Sequence, residues 1–528
     1  MSHPPKTDLD PRDSTDAELF ELLGCESEAA VARVYELDSP TRIDSLELPD
    51  NGIELLLKRE DLSQVHSYKW RGAFNKIKSL HESGFRGNLV AASAGNHAQG
   101  VAIAAARLEL PATIFMPLST PLLKQDSVRQ FGGAFVEIRL CGDSFEAAAA
   151  LAQKFTIDSG GVFIPPYDDL RVIAGQSTIA REIAESGLVP THAFLQIGGG
   201  GMAAGVAFGL RQRFPNIQLI GVEAENQHSM KLSIERGART KLDYVDKFCD
   251  GTAVSIPGEL TFRVCREMLD DCIMVSNDEV CEAIQYLWQK MRLIVETSGA
   301  IGVAAAMKFD FAGDARPLAV LSGSNIDFLM LPKIAMRGQA QRPETRYYAF
   351  EIGEQPGTLV GLLEQFEGNM NIIDFQYGQV HENEAYPVIG IEVPHNALPR
   401  LEALLAQPSI PRHTEVTGSP ASEFRVIPFS VDLLKLPFFA IVEFPNRPGS
   451  LRDFMRSASQ FASVCYMNYQ DTGQTEGQAL MGFDFSSLAK QSEFFEWLDE
   501  SNQKFQVIDL EVVRHFTGSV KSKYVRKN

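Results

Sequence analysis

The chain has 528 residues, 45% of them hydrophobic and 22% charged, with a formal net charge of −19. That length exceeds what one hydrophobic core serves and predicts two to four domains of a soluble globular protein. The acidic balance opposes binding to nucleic acid or to an anionic membrane, since both need concentrated Lys and Arg.

Residues 1–18, beginning MSHPPKTDLDPRDSTD, have no apolar run of the signal-peptide kind, and their Pro and charge content predict a disordered leader. From 19 to 336 short apolar runs alternate with stretches of helical period. NLVAAS (88–93), PATIFMP (111–117), AFVEI (134–138), HAFLQIG (192–198), LIGVEA (219–224) and PLAVLSG (317–323) predict buried strands. HAQGVAIAAARLE (97–109) and GQSTIAREIAESG (175–187) predict helices. Such alternation predicts an α/β domain built on a mostly parallel sheet. The most apolar stretch, LVAASAGNHAQGVAIAAA, carries Asn, His and Gln, so no membrane span is expected. The seven cysteines are scattered, with no CxxC and no His pair at zinc-ligand spacing. They predict free thiols in a reducing cytoplasm, without a disulfide framework or a structural metal.

The character changes after residue 336. RGQAQRPETR (337–346) is polar and contains Pro and Gly, a linker composition. Beyond it EQPGTL (354–359) resembles NRPGSL (446–451), an offset of 92 residues (446 minus 354). The same offset aligns Glu351 with Glu443, Tyr377 with Tyr469, Glu384 with Glu476 and Gly390 with Gly482. Alone, PG[ST]L is a turn before a helix start; repeated in register, it marks a duplicated module. Each copy reads as a βαββαβ sandwich, over 347–425 and 436–516. Residues 517–528 are a basic tail.

Three turns of the first domain carry chemistry. Gly198, Gly199, Gly200 and Gly201 lie between an apolar strand and an apolar helix that starts with Met202. Without Cβ atoms, their amides can crowd around a phosphate, and the helix start adds favourable partial charge. SAGNHAQG (93–100) follows a strand. Ser93 or Asn96 could cap the next helix; alternatively the amides of Ser93, Ala94, Gly95, Asn96 and His97 could grip a carboxylate while Asn96 bonds a ring hydroxyl. Ser322 ends a buried strand, where open α/β sheets bind ligands, and its neutral hydroxyl suits a ring nitrogen. Lys69, in SYKWRGA (67–73), would complete the set. A ligand with a phosphate, a ring oxygen, a ring nitrogen and an aldehyde for a lysine is pyridoxal phosphate.

SYKWRGAFNK, SAGNHAQGVA, GQSTIAREI, GGGGMAAG, ETSGA (296–300) and LSGSN, in this order from about 50 to 335, resemble the threonine dehydratase (threonine ammonia-lyase) family. These are fold-type II pyridoxal phosphate enzymes, similar in fold to the tryptophan synthase β subunit. The duplicated C-terminal third resembles the paired ACT-like regulatory domains of the long biosynthetic form. The resemblance implies that Lys69 is the Schiff-base lysine, that Asn96 bonds the cofactor's 3′-oxygen, and that Gly198 to Met202 hold its phosphate. Ser322 would face the pyridine nitrogen. It further implies deamination of L-threonine to 2-oxobutanoate, with L-serine as a second substrate. Isoleucine or valine would be effectors and a homotetramer the assembly. Tyr68, Met202 and Ser324 stand where the family usually has Phe, Leu and Ala. Trp70 occupies the place of the aspartate of sulfhydrylases and threonine synthases, and Ala94 that of the second acid/base serine of serine racemases. Rival readings are a serine dehydratase or racemase and a non-catalytic amino-acid sensor. A nicotinamide dehydrogenase is disfavoured because no G-x-G-x-x-G follows the first strand.

Overall fold

The computed structural model describes residues 10–49, 52–118, 120–142, 145–337, 344–353, 355, 357–366, 371–379, 384–393, 397–417, 433–445, 450–470, 476–501 and 505–508. The chain forms two compact units, Met1–Gly338 and Gln339–Asn528.

The first unit starts with helix α1 (Asp16–Val34) and strands β1 (Ile43–Glu47) and β2 (Glu54–Arg59). Then follow α2 (Lys69–Glu82), β3 (Leu89–Ala92), α3 (Asn96–Arg107), β4 (Ala112–Met116), α4 (Leu122–Gly132) and β5 (Val136–Leu140). Next come α5 (Phe145–Ser159), β6 (Val162–Phe163), α6 (Leu170–Glu185), β7 (His192–Gln196), α7 (Gly201–Arg213) and β8 (Gln218–Ala224). The unit closes with α8 (Ser229–Arg236), α9 (Glu259–Met268), β9 (Asp271–Val275), α10 (Asn277–Met291), α11 (Thr297–Lys308), β10 (Pro317–Leu321) and α12 (Leu331–Arg337).

Two sheets result. One has the order β1-β2-β10-β7-β8-β9, parallel except for β1, and the other, β5-β4-β3-β6, is wholly parallel. Every residue of β3, β4 and β10 is buried, so these strands read as unbroken apolar runs rather than alternating ones. All six expected strands form, but β5 starts two residues later than expected and none of its residues is buried, since it edges the smaller sheet.

The expected leader needs correction. Its residues 1–9 lie outside the described residues, but Thr15 caps α1 in a reciprocal capping box with Glu18. Arg263 of α9 holds the same segment, its Nε donating to Asp16 (2.7 Å) and its Nη2 to the Ser14 carbonyl (2.7 Å). Order therefore begins before residue 19.

The second unit contains two βαββαβ copies. The first runs β11 (Glu344–Phe350), β12 (Ile352–Gly353), α13 (Thr358–Glu364), β13 (Asn371–Gly378), β14 (Glu384–Ala385), β15 (Val388–Val393), α14 (Leu398–Leu405) and β16 (His413–Glu415). β12 and β14 pair apart as a minor ladder. The second copy runs β17 (Pro437–Pro445), helix Ser450–Ala458, β18 (Ser463–Gln470), β19 (Glu476–Asp484), helix Leu488–Glu500 and β20 (Phe505–Ile508). β11 begins at Glu344, inside the stretch expected to be linker, whose residues 338–343 lie outside the described residues, as do the NRPG turn (446–449) and the basic tail.

The copies share one antiparallel eight-stranded sheet, β16-β11-β15-β13-β18-β19-β17-β20. Gln376 of β13 pairs with Asn468 of β18, its own repeat equivalent at the 92-residue offset (468 minus 376). A pseudo-two-fold axis thus passes through the centre of the sheet, relating the two copies. Glu364 and Arg456, equivalent by the same offset (456 minus 364), form an ion pair at 2.8 Å.

Candidate active site

Topology places the site. β7, β8 and β9 extend the larger sheet to one side, and β10, β2 and β1 extend it to the other. The crevice at the carboxyl ends of the strands flanking such a switch point is where open α/β sheets bind ligands. Gly198 to Gly201 follow β7 directly, and Ser322 follows β10. Residues 93–96 follow β3 of the smaller sheet, and Lys69 opens α2.

Backbone contacts bring these points together. The amide of Tyr68 donates to the Ser322 carbonyl (3.0 Å), which ties Lys69 to the end of β10. α3 lies close against the first turn of α2 because Gly100 carries no side chain: a Cβ there would sit 3.0 Å from the Trp70 Cα. One cavity of about 430 Å³ is lined by Lys69, Asn96, all four glycines, Met202 and Ser322, together with Tyr68, Tyr167, Gln196, Gly251, Thr252, Glu296 and Ser298.

The glycine run is a cradle that side chains would fill. A Cβ on Gly199 would fall 2.3 Å from the Tyr167 ring, and one on Gly198 would fall 2.8 Å from the Thr252 Cα. Gly200, the cap of α7, has φ +93°, which only glycine adopts readily. Thr261 of α9 steadies the run, its hydroxyl donating to the Gly199 carbonyl (2.6 Å). Lys69 Nζ donates to the Pro166 carbonyl (3.1 Å) and lies 5.3 Å from the centre of the Tyr68 ring.

The 93–97 turn differs from the expectation. The Ser93 amide donates to the Phe115 carbonyl (3.1 Å) and the Gly95 amide to Ser93 Oγ (3.2 Å), so neither is free to hold a carboxylate. Ala94, Asn96 and His97 supply the remaining amides. His97 has its ring buried with Nε2 at 2.8 Å from the Ile164 carbonyl; burial first, then the charge of Lys69, hold it at about 3, so it is neutral. Of this turn only Asn96 lines the cavity.

Two further polar residues join the site, both within motifs that the sequence displays without marking them as site residues. Glu296, the first residue of ETSGA, is buried, and its carboxylate accepts from Asn96 Nδ2 at 2.8 and 3.0 Å. Burial pushes its pKa up to about 7 against the opposing Asn96 hydrogen bond. Asn325, the last residue of LSGSN, donates from Nδ2 to Asn96 Oδ1 (2.7 Å). Gln196 adds a buried Oε1 on the cavity wall that has no partner among the described residues.

Residues 35–323 match the family model described as pyridoxal-phosphate dependent enzyme. Residues 336–424 and 435–515 match that of the C-terminal regulatory domain of threonine dehydratase. The biosynthetic L-threonine dehydratase of Burkholderia multivorans is 34% identical over 480 residues, 88% of this chain and 94% of that protein. The chain belongs to the threonine dehydratase family. Among solved structures, the processed form of threonine deaminase isoform 2 from Solanum lycopersicum has a TM-score of 0.56 and 38% identity, covering 64% of this chain and 98% of that one. A maize serine racemase has a TM-score of 0.54 and 28% identity, covering 59% of this chain and 96% of that one. The cofactor of this dehydratase family member is pyridoxal phosphate. The residues present fit it: a cradle that any Cβ would fill, an unpaired buried acceptor, and a lysine in the same cavity. Among the described residues no group of His, Cys, Asp and Glu could hold a metal ion, and no helix is long and apolar enough to cross a membrane.

Proposed function

We infer that this chain deaminates L-threonine to 2-oxobutanoate and ammonia, the entry step of isoleucine biosynthesis. The convergence of Lys69, the glycine cradle, Asn96 and Ser322 on one cavity at the switch point carries this reading. Gly198 to Met202 would hold the cofactor phosphate, Asn96 its 3′-oxygen and Ser322 its ring nitrogen. Lys69 would hold its aldehyde. The amides of Ala94, Asn96 and His97 receive the substrate carboxylate at the start of α3. Bound pyridoxal phosphate supplies a sink for the electron pair released at Cα. Lys69 Nζ is the base that would take the Cα proton. The β-hydroxyl would leave as water, taking up one proton for the one removed from Cα, and hydrolysis would release the amine nitrogen as ammonia. L-Serine gives pyruvate by the same route. Racemisation is disfavoured because the methyl group of Ala94 cannot deliver a proton to the opposite face.

The modules at 347–425 and 436–516 regulate the enzyme, with isoleucine and valine as effectors and a cytoplasmic homotetramer as the working assembly. Supporting an effector site, a cavity of about 400 Å³ in the second unit is lined by residues of both copies, among them Gln355, Tyr377, Met455 and Ser463.

The test is Lys69→Ala. Threonine-dependent 2-oxobutanoate release should fall by at least about 10³-fold, on the scale of losing an acid–base group, and the visible band of the bound cofactor should vanish. Full turnover in this variant would refute the assignment.

A further inference from the structure

The side-chain amide of Asn96 is held at both ends. Its Oδ1 accepts from Asn325 Nδ2 (2.7 Å), and Asn325 is itself fixed by the Val65 carbonyl (2.9 Å). Its Nδ2 donates to both oxygens of Glu296 (2.8 and 3.0 Å). A side-chain amide has two N–H bonds, so one goes to the carboxylate and one is left for a ligand. Reversing the amide would set an N–H against the Asn325 donor and a carbonyl against a carboxylate.

The place of Glu296 is built for a carboxylate. Its amide donates to the Gly323 carbonyl (3.1 Å), and a Cβ on Gly323 would sit 2.8 Å from Glu296 Oε1. On the other side a Cβ on Gly251 would sit 3.6 Å from the same oxygen. Three charged groups face it: Asp250 from the turn before Gly251, Lys124 from α4, paired with Asp250 at 3.0 Å, and Lys69 from α2.

We propose that Glu296 is a positioning residue for the cofactor, orienting the Asn96 amide so that one N–H is always presented to the cofactor's ring oxygen. This rests on the reading of Asn96 as a cofactor contact. An ionised Glu296 holds the amide with a charge-assisted bond, and a protonated one holds it more weakly. Burial sets the changeover at about 7.

The experiment titrates the full chain, freed of cofactor, with pyridoxal phosphate from pH 6 to 8.5 and follows tryptophan fluorescence. Wild type is compared with Asn96→Ala, Glu296→Ala, Glu296→Gln and the Asn96→Ala/Glu296→Ala double variant. Asn96→Ala and Glu296→Ala should each weaken binding about tenfold at pH 8, the scale of one charge-assisted hydrogen bond. The double variant should be no weaker than Asn96→Ala. Glu296→Gln keeps only a neutral acceptor for Asn96, as the protonated acid does, and should bind at every pH about as wild type binds at pH 6. It should also lack the loss of affinity that wild type shows as pH falls through about 7. If Asn96→Ala binds normally, the reading of Asn96 fails. If Asn96→Ala is weak while Glu296→Ala binds normally, or the two losses add in full, the role of Glu296 is overturned. Should Glu296→Ala fail to fold by circular dichroism, Glu296→Gln decides: a pH dependence identical to wild type overturns the proposal.

Discussion

Arg71 stands two residues after Lys69 and is fully buried, which demands partners for its charge. Its Nε donates to Glu60 (2.7 Å) and its Nη1 to Glu182 (2.5 Å), while Lys58 Nζ reaches Glu182 (2.6 Å) and Glu60 (3.2 Å). Tyr35 closes the group on Glu182 (2.9 Å). The network ties the first turn of α2, and therefore Lys69, to β2 and α6. Burial pushes the Glu60 carboxyl up, but the charges of Arg71 and Lys58 outweigh it and hold the pKa at about 2. A carboxyl held below its ordinary value stabilises the fold above that ordinary value, and the contribution is lost as pH falls through about 2. Arg71→Ala removes the larger opposing charge and leaves buried carboxylates unpaired. It should cost about 3–5 kcal/mol and move the acid-unfolding midpoint to higher pH, because Glu60 then takes its proton sooner. Circular dichroism against pH, with Glu60→Gln as reference, checks this. An unchanged midpoint would mean that the network does not govern acid stability.

The start of α7 is the element on which the cradle depends. Gly200→Ala would put a Cβ 2.7 Å from Met230 Cε and 2.9 Å from Thr261 Cβ, on a backbone at φ +93°. The Met230 methyl can swing aside; the Thr261 Cβ, fixed on α9, cannot. We expect a loss of about 1–3 kcal/mol in thermal stability, with cofactor affinity weakened because the Gly199 to Gly201 amides shift. Cofactor retention unchanged on gel filtration would separate this loop from the phosphate. This element was legible from sequence because glycines clamped between two apolar runs have few other uses. β2 was not: Lys58 looks like a surface residue until Glu182, more than a hundred positions on, neutralises it in the core, and the neighbouring Arg59 is paired with Asp61 and Asp44. α1 carries a local signal in its capping box, Thr15 to Glu18, against a leader that extends to residue 18. Glu296 and Asn325 stood in plain view within motifs, yet their link to Asn96 spans 200 and 229 residues. Periodicity tells which runs are strands; it does not tell which polar side chains meet at their ends.

At the scale of the molecule, the second unit is a duplicated module whose copies join through β13 and β18 into one sheet. Such a sheet buries its own core: Phe350, Phe375, Ile389, Ile391, Met467, Met481 and Phe483 are fully enclosed within it. It has no need of the catalytic unit for its hydrophobic burial. The first unit likewise encloses its own sheets and contributes every residue of the cofactor cavity. On the proposed reading, regulation is a coupling free energy between units, and an effector inhibits only by binding the less active state more tightly. A chain ending at residue 338 should therefore keep the cofactor and release 2-oxobutanoate from threonine. The full chain should need more threonine for half-saturation when isoleucine is present, by roughly the 5–150-fold typical of such coupling, with valine titrated alongside. By reciprocity, threonine should weaken isoleucine binding to the full chain by the same factor when both are measured at equilibrium. A truncated chain that remained sensitive to isoleucine would place the effector site in the catalytic unit, and the duplicated module would need another explanation.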